Sequence, residues 1–277
     1  MPKTIVTHIA PDFDGIPAIW LLKKFHPDFE DAKVAFVPAG TTLGGMEVDS
    51  DPDIVHVDTG MGKFDHHETN AYTCGAKLVW QWLKKDLRIK DEAVDRIVEL
   101  ATALDHAKDN EWPDPADDKW ELSINAILTG WKLEWPGQNE KYVELGMIAL
   151  DGLYAIMRSK VAAEAEIEKA VKFKTKWGTA LASSTGGDNF LDLAIRQGYV
   201  LAVTKDRTRG FVRITGASPQ GVDLTKAYEQ FKKLDPDASW FLHASKVLLR
   251  NGSNKNPSMV PTKLSLLEVM DVLKKTS

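Results

Sequence analysis

Apolar and polar positions alternate between two regimes along the chain. Lys3 to His8 carries a short apolar run, Ile5-Val6, and reads as a strand. It gives way to the turn-rich Pro11-Asp12-Phe13-Asp14-Gly15. Ala18 to Phe25 is apolar apart from Lys23 and Lys24 and predicts a buried helix. Val34 to Val37 and Ile54 to Val57 are short and rich in β-branched residues, the pattern of strands buried on both faces. Helical periodicity follows at about 75–85 and 91–108. Strands alternating with helices predict a mostly parallel α/β sheet.

Residues 110–120, rich in Asp, Pro and Trp, read as a loop, and the pattern from 139 to 175 is continuously helical. Tyr199 to Val203 and Phe211 to Ile214 predict two strands around the turn 205–210. A helix at about 223–233, a strand at 240–242 and a closing helix at 264–275 follow, with Thr262 or Ser265 as its cap. These patterns predict an α/β N-terminal domain over 1–137, a helical connector over 138–176 and a smaller mixed α/β C-terminal domain over 177–277.

Composition changes this picture little. With 277 residues, 43% hydrophobic and 27% charged, the chain is ordinary globular material. The single cysteine, Cys74, excludes an internal disulfide. No apolar stretch approaches a membrane span and no leader is written at the start, so a cytoplasmic setting without a membrane is expected. Charge distribution says more. Residues 1–70 hold twelve acids and five bases, whereas 241–263 hold Lys246, Arg250, Lys255 and Lys263 and no acid. One end calls for cations, and the other suits an anion.

The acids and histidines of the first part fall in three segments, each at or beside the end of an expected strand. They are His8-Ile9-Ala10-Pro11-Asp12-Phe13-Asp14-Gly15, Val57-Asp58-Thr59-Gly60 and Phe64-Asp65-His66-His67-Glu68. In open α/β sheets that edge binds ligands. Clustered carboxylates repel unless something positive sits among them, and no lysine or arginine lies inside the three segments. Mixed histidine and carboxylate donors suit manganese, iron, cobalt or zinc better than magnesium alone. There are enough ligands for two divalent ions sharing a bridging carboxylate. Two such ions hold a hydroxide for in-line attack and stabilise the leaving oxygen, which makes phosphoester hydrolysis the natural reaction. Taken singly, Asp-x-Asp-Gly is an ordinary turn and paired histidines are ordinary surface residues; the ordered set is what has meaning.

His8-x-x-x-Asp12-x-Asp14-Gly15, then Val57-Asp58, then Asp65-His66-His67, resembles the DHH phosphoesterase superfamily. That group includes RecJ-type exonucleases, oligoribonucleases, cyclic-dinucleotide phosphodiesterases and manganese pyrophosphatases. The second and third segments, and Trp240 to Ser245 followed by Asn251 to Lys255, are closest to its Myg-type exonuclease branch. The chain lacks that branch's extra histidine and acid in the first motif, and it has no Gly-Gly-Gly-His loop of the RecJ-type C-terminal domain.

The resemblance implies one metal on His8 and Asp12, a second on Asp14, His66 and a fourth-motif aspartate, and Asp58 bridging them. It implies His67 facing the scissile phosphate, and Asp65 orienting His66 by a hydrogen bond. Asp105 is the best candidate for the fourth motif, with Asp109 one helical turn on as the alternative. His106 reads as structural, and nothing assigns Cys74 a ligand role.

On the substrate side, the small polar loop 251–258 can present backbone N–H groups to a phosphate. His243, Lys246, Arg250, Gly252, Ser253 and Lys255 are the expected binders, against the alternative of a solvated hairpin. Ser184 to Asp188 reads as a helix cap. Most of the nine tryptophans belong to packing, while Trp112, Trp120 and Trp135 near Pro-containing loops are possible stacking partners.

The expected activity is therefore that of a metal-dependent hydrolase, 3′-5′ exonuclease-like, using two divalent ions, manganese before magnesium, cobalt or zinc. Its substrate would be a phosphodiester in short RNA, DNA or a dinucleotide, held between the two domains, with homodimerisation possible. The alternatives are pyrophosphate or polyphosphate hydrolysis at the same metals, and metal binding without turnover.

Overall fold

The computed structural model describes residues 2–184, 187–218, 221–253 and 255–277. The chain divides into two compact units, Met1–Met157 and Arg158–Ser277.

The first unit is built on a three-stranded parallel sheet. β1 (Thr4–His8) lies between β2 (Lys33–Val37) and β3 (Ile54–His56). Thr4 pairs with Lys33 on one side and Ile54 on the other, so all three strands end at one edge. The central strand is covered on both faces, which is why Ile5 and Val6 have no exposed surface. α1 (Gly15–Phe25) begins one loop after β1, and Gly15 through Leu22 are all buried. A helix apolar all round must sit inside the core. α2 (Gly75–Leu87) and α3 (Glu92–Asp105) complete the layer, α3 opening on Asp91, whose side chain accepts from the N–H groups of Ala93 and Val94. Trp20, Trp80 and Tyr142 are buried in this core, as packing residues. Their polar ends are satisfied: Trp20 Nε1 donates to Asp151 at 3.0 Å and Trp80 Nε1 to Asp95 at 2.7 Å.

Two elements depart from the sequence expectation. Ile124–Glu134 forms a further helix, α4, after the loop region, capped by Ser123 accepting from Ala126 N–H. The long helix α5 (Asn139–Lys169) stops short of 175, and the unit boundary falls inside it, 20 residues beyond the expected 137. Residues 171–175 instead form a strand. Their Val-Lys-Phe-Lys-Thr alternation buries only Phe173, the period-2 signature that the preceding helical run masks.

That strand, β4 (Val171–Thr175), opens the six-stranded sheet of the second unit, with β5 (Gly178–Ser183), β6 (Leu201–Lys205), β7 (Val212–Gly216), β8 (Phe241–Leu242) and β9 (Leu248–Asn251) in the order β4-β5-β6-β7-β9-β8. β5 and β6 are parallel, joined through α6 (Asp188–Arg196), and the other pairs are antiparallel. α7 (Thr225–Leu234) and α8 (Leu266–Thr276) pack with Phe173, Val203, Ile214 and Leu249. Of the two caps considered, Ser265 is the one used. It forms a reciprocal capping box with Glu268. The molecule is thus α/β, a parallel sheet followed by a mixed one. Among the described residues, no helix is long and apolar enough to cross a membrane.

Candidate metal centre and anion pocket

The site of the first unit is assembled where β1 and β3 end. Past His8 the backbone turns through Ala10 in a left-handed conformation (φ 55°), held by Ala10 N–H donating to Asn139 Oδ1 at 2.9 Å. Asp12 Oδ1 accepts from the N–H groups of Asp14 and Gly15, folding the loop into the start of α1. Past β3, Asp58 also takes a left-handed conformation (φ 54°), its N–H donating to Phe64 O at 3.0 Å. A non-glycine residue held there is strained, and strain of this kind concentrates at functional sites.

Asp14 is nearly fully buried, clamped by the free N–H groups at the start of α2. Gly75 N–H donates to its Oδ2 and Ala76 N–H to its Oδ1, both at 2.7 Å. A helix N-terminus is a natural seat for a carboxylate. Burial pushes the Asp14 carboxyl up, but His66 beside it and hydrogen bonds from Ala76 N–H, Cys74 and Gly75 N–H outweigh burial and hold it below the usual range. Two glycines make room for this packing. A Cβ at Gly15 would stand 2.8 Å from Thr7 Oγ1 and 3.2 Å from Asp58 Oδ2, and one at Gly75 would stand 3.1 Å from both Asp14 Oδ2 and Asp58 Cβ.

Around these carboxylates the histidines converge. His8 Nε2 lies 3.2 Å from Asp58 Oδ2 and 3.9 Å from Asp12 Oδ2, and its Nδ1 donates to Ile9 O at 2.8 Å. His66 Nε2 lies 3.4 Å from Asp14, 3.6 Å from Asp58 and 3.8 Å from Asp105. The donor atoms of His8, Asp12 and Asp58 lie within 4.8 Å of one another, as do those of Asp14, His66 and Asp105, and of Asp58, His66 and His67.

The donor set fits divalent metal ions on one further ground. His66 Nε2 is buried, aimed at three carboxylates, and has no partner in hydrogen-bond geometry. An orphaned ring nitrogen among acids needs either a proton or a cation. Without metal the proton takes that place. The approach to Asp14, then to Asp58, raises the His66 pKa to about 10, and bonding to Asp58 raises that of His8 to about 9. Burial, and then the charge of Asp14, lifts Asp105 to about 6. Burial also raises Asp58.

Asp105 is the last residue of α3 and joins the second donor group; Asp109 does not, and lines a neighbouring cavity instead. His106 Nε2 donates to Thr73 O at 3.0 Å and is structural. Asp65 corrects one expectation. Its Oδ1 accepts from His67 Nδ1 at 2.6 Å and from His67 N–H, and its Oδ2 accepts from Met61 N–H, so it orients His67 rather than His66. The Gly62–Asp65 turn brings the Asp65 carboxylate back onto residue 67, whereas His66 points the other way into the acids. His67 is 54% exposed, the openly accessible histidine of the group. Cys74 is buried, and burial pushes its thiol far above the ordinary value, so it is inert packing beside Asp14.

The second unit holds a cationic pocket of about 710 Å³. His243, Arg250, Ser253 and Lys255 line it together with Arg213, and Asp192 sets one carboxylate among them. Arg213 and Arg250 are direct cross-strand partners on β7 and β9. Burial, and then the charge of Arg213, lowers Arg250 to about 10. Its guanidinium is tied back to Ile214 O, Leu249 O and Thr215 Oγ1. His243 Nδ1 accepts from Ser245 N–H, which leaves the proton on Nε2.

Two expected binders lie elsewhere. Lys246 pairs with Asp223 at 3.3 Å, because its left-handed backbone (φ 61°) turns it toward α7. Gly252 is required by packing, since a Cβ there would collide with the Phe211 ring. In the loops 184–188 and 251–258, residues 185, 186 and 254 lie outside the described residues.

Sequence reasoning missed the Gly75 and Ala76 amides, Asn139 and Arg213, and placed Gly15 in the first motif without the close packing that requires it. It also missed Lys132 on α4, half-buried and close enough to Asp12 to feel its charge.

No family model matches the chain, and no curated protein matches it at a significant level. Among solved structures it is similar to the DHH domain of a member of the s1p family of ribosomal proteins (12% identity, 99% of this chain and 86% of that one, TM-score 0.36). It is also similar to RecJ from Thermus thermophilus in complex with Mg2+ (14% identity, 99% and 49%, TM-score 0.34) and to an exonuclease RecJ bound to manganese (10% identity, 99% and 90%, TM-score 0.32). At these values the likeness carries no inference about chemistry, which rests on this chain's own side chains.

Proposed function

We propose that the chain is a divalent-metal phosphohydrolase of the DHH type, cleaving phosphodiester bonds in short single-stranded RNA or DNA or in dinucleotides. The reading rests on one observation above all: Asp58 belongs to two donor groups, His8-Asp12-Asp58 and Asp58-His66-His67, with Asp14, His66 and Asp105 completing the cluster. His8 and Asp12 would hold one ion, Asp14, His66 and Asp105 a second, and Asp58 both. Mixed nitrogen and oxygen donors suit manganese, iron, cobalt or zinc better than magnesium alone, and manganese is the ion of this reading. A pair of divalent ions supplies Lewis acidity at a phosphoryl oxygen and lowers the pKa of water.

The protein side chains do the rest. Asp65 fixes the Nδ1 proton of His67, which leaves Nε2 to meet a phosphate oxygen or to hold a proton for it. The Gly75 and Ala76 amides keep Asp14 ionised and immobile. The Arg213–Arg250 pocket takes a phosphate-bearing ligand, since Arg213, Arg250 and Lys255 outnumber the Asp192 carboxylate in one cavity and leave it net positive. The modest net charge of −5 argues against tight binding to duplex DNA.

The test offers purified protein with manganese three substrates: bis-para-nitrophenyl phosphate, a 5′-labelled oligoribonucleotide and pyrophosphate. Hydrolysis of the first two is expected. Metal binding with no hydrolysis of any would overturn the reading, and turnover of pyrophosphate alone would redirect it.

A further inference from the structure

Beside the metal cluster, in its own unit, lies a second cavity. A small cavity lined by Asp12, Asp14, Asp105, Phe13, Leu104 and Asn125 reaches the ligands directly. Phe13, Leu104 and Asn125 also line a larger, mostly apolar cavity of about 450 Å³, within the range of pockets that hold small organic ligands. Its far wall comes from the segment between α3 and α4. There Trp112 and Trp120 stand with ring centroids 5.1 Å apart at 47°. The Trp120 indole is anchored by Nε1 donating to Asp114 O at 2.9 Å, so the wall is preformed.

The polar groups around this mostly apolar space are the carboxylates of Asp109 and Glu121, the Ser123 hydroxyl and two side-chain amides. Asn110 and Asn125 line it, and among the described residues neither side-chain amide makes a hydrogen bond. An amide offers a donor and an acceptor side by side, the complement of a heterocycle edge. Aromatic walls, amide edges and lining residues shared with the cavity at the proposed phosphate-cleaving centre match a nucleoside: a flat ring to stack, an edge to read and a phosphate to place. Pyrophosphate has no group to fill such a space.

We propose that this cavity is a nucleobase pocket, with Trp112 and Trp120 as its stacking wall and Asn110 and Asn125 as edge-reading groups. It would seat the base attached to the phosphate under attack. The proposal rests on the phosphohydrolase reading for its purpose, but the binding it claims is measurable without turnover.

Isothermal titration compares adenosine 5′-monophosphate with ribose 5-phosphate, which carries the same sugar phosphate and no base. Wild-type protein is expected to bind the nucleotide at least about tenfold more tightly. That preference disappears in Trp112→Ala and Trp120→Ala and largely survives in Trp112→Phe and Trp120→Phe. The phenylalanine variants, with circular dichroism of all four, separate loss of stacking from loss of fold. Equal binding of the two ligands by wild type, or an unchanged preference in both alanine variants, overturns the pocket. A base preference in a protein that hydrolyses no phosphodiester leaves the pocket standing and removes the hydrolase reading. Hydrolysis without a base preference does the reverse.

Discussion

The edge of the parallel sheet and the face of the mixed sheet solve opposite electrostatic problems. At the edge, Asp12, Asp14, Asp58 and Asp105 crowd around His8 and His66, with Lys132 near enough to Asp12 to feel its charge. On the face, Arg213 stands directly opposite Arg250, in a pocket shared with Lys255 and His243. Like charges set this close cost stability unless an opposite charge is bound. Each region handles its charge differently. The acids are pinned by backbone amides and by glycines with no side chain to intrude, so they cannot spread apart. Arg250 is tied to carbonyl oxygens of its own sheet. On the mixed sheet the cations are partly answered by Asp192 and Glu166, and at the parallel edge the acids outnumber the nearby Lys132, so each region keeps an excess of one sign.

The contrast is broken most severely at Asp58. Asp58→Asn removes one shared ligand charge while keeping its shape. Hydrolysis of bis-para-nitrophenyl phosphate is expected to fall about 10³-fold, the equivalent of several kcal/mol of charge stabilisation. Retention of full activity would mean that Asp58 is not a shared ligand.

Metal and proton compete for the same acids, which gives a second test. In metal-free protein the folded pKa values of His8 and His66 stand at about 9 and about 10, above the ordinary 6.5 of an unfolded histidine. Their stabilisation is fully present below pH 6.5 and is lost as pH rises through those values. Thermal unfolding of EDTA-treated protein should therefore fall in midpoint from pH 6.5 to 10. Manganese at a hundredfold its Kd at pH 6.5 restores about 2.7 kcal/mol per site there, and at that fixed concentration the gain should grow with pH as fewer protons compete. A flat metal-free profile would place the histidines outside the cluster's charge balance.

Gly75→Ala inserts a Cβ between Asp14 and Asp58. It should lower activity about tenfold through weaker manganese binding, as for residues that position ligands. The smallest effect is expected on the cationic face. Arg250→Leu relieves the cross-strand repulsion, so stability in phosphate-free buffer should change by less than about 1 kcal/mol, while the stabilisation given by added phosphate should shrink. Undiminished stabilisation by phosphate would remove Arg250 from the anion pocket.

The clustered acids were legible in sequence because buried parallel strands announce themselves as short β-branched runs, and their ends are where chain order places Asp12, Asp14 and Asp58. Asp105 was legible as a position on a helix face, although only the fold separated it from Asp109. The amide clamp on Asp14 was not legible, because backbone donors leave no mark on residue type and Gly75 lies 61 positions away. The Arg213–Arg250 pairing was hidden for a similar reason, since cross-strand register depends on the loops between β7 and β9. Helix α4 carried its signal openly, a Ser123 cap before an apolar run, beside a loop whose prolines dominate the local pattern. The Asp65–His67 bond depends on a tight turn that adjacent identical histidines cannot reveal.

The central claim is that Asp58 joins two metal ions in one cluster. Equilibrium dialysis against manganese, with bound metal counted per chain, measures it directly. Two ions are expected in the wild-type protein and at most one held tightly in Asp58→Asn. A wild-type protein that saturates at one ion or none, or an Asp58→Asn variant that still binds two with unchanged affinity, would contradict it.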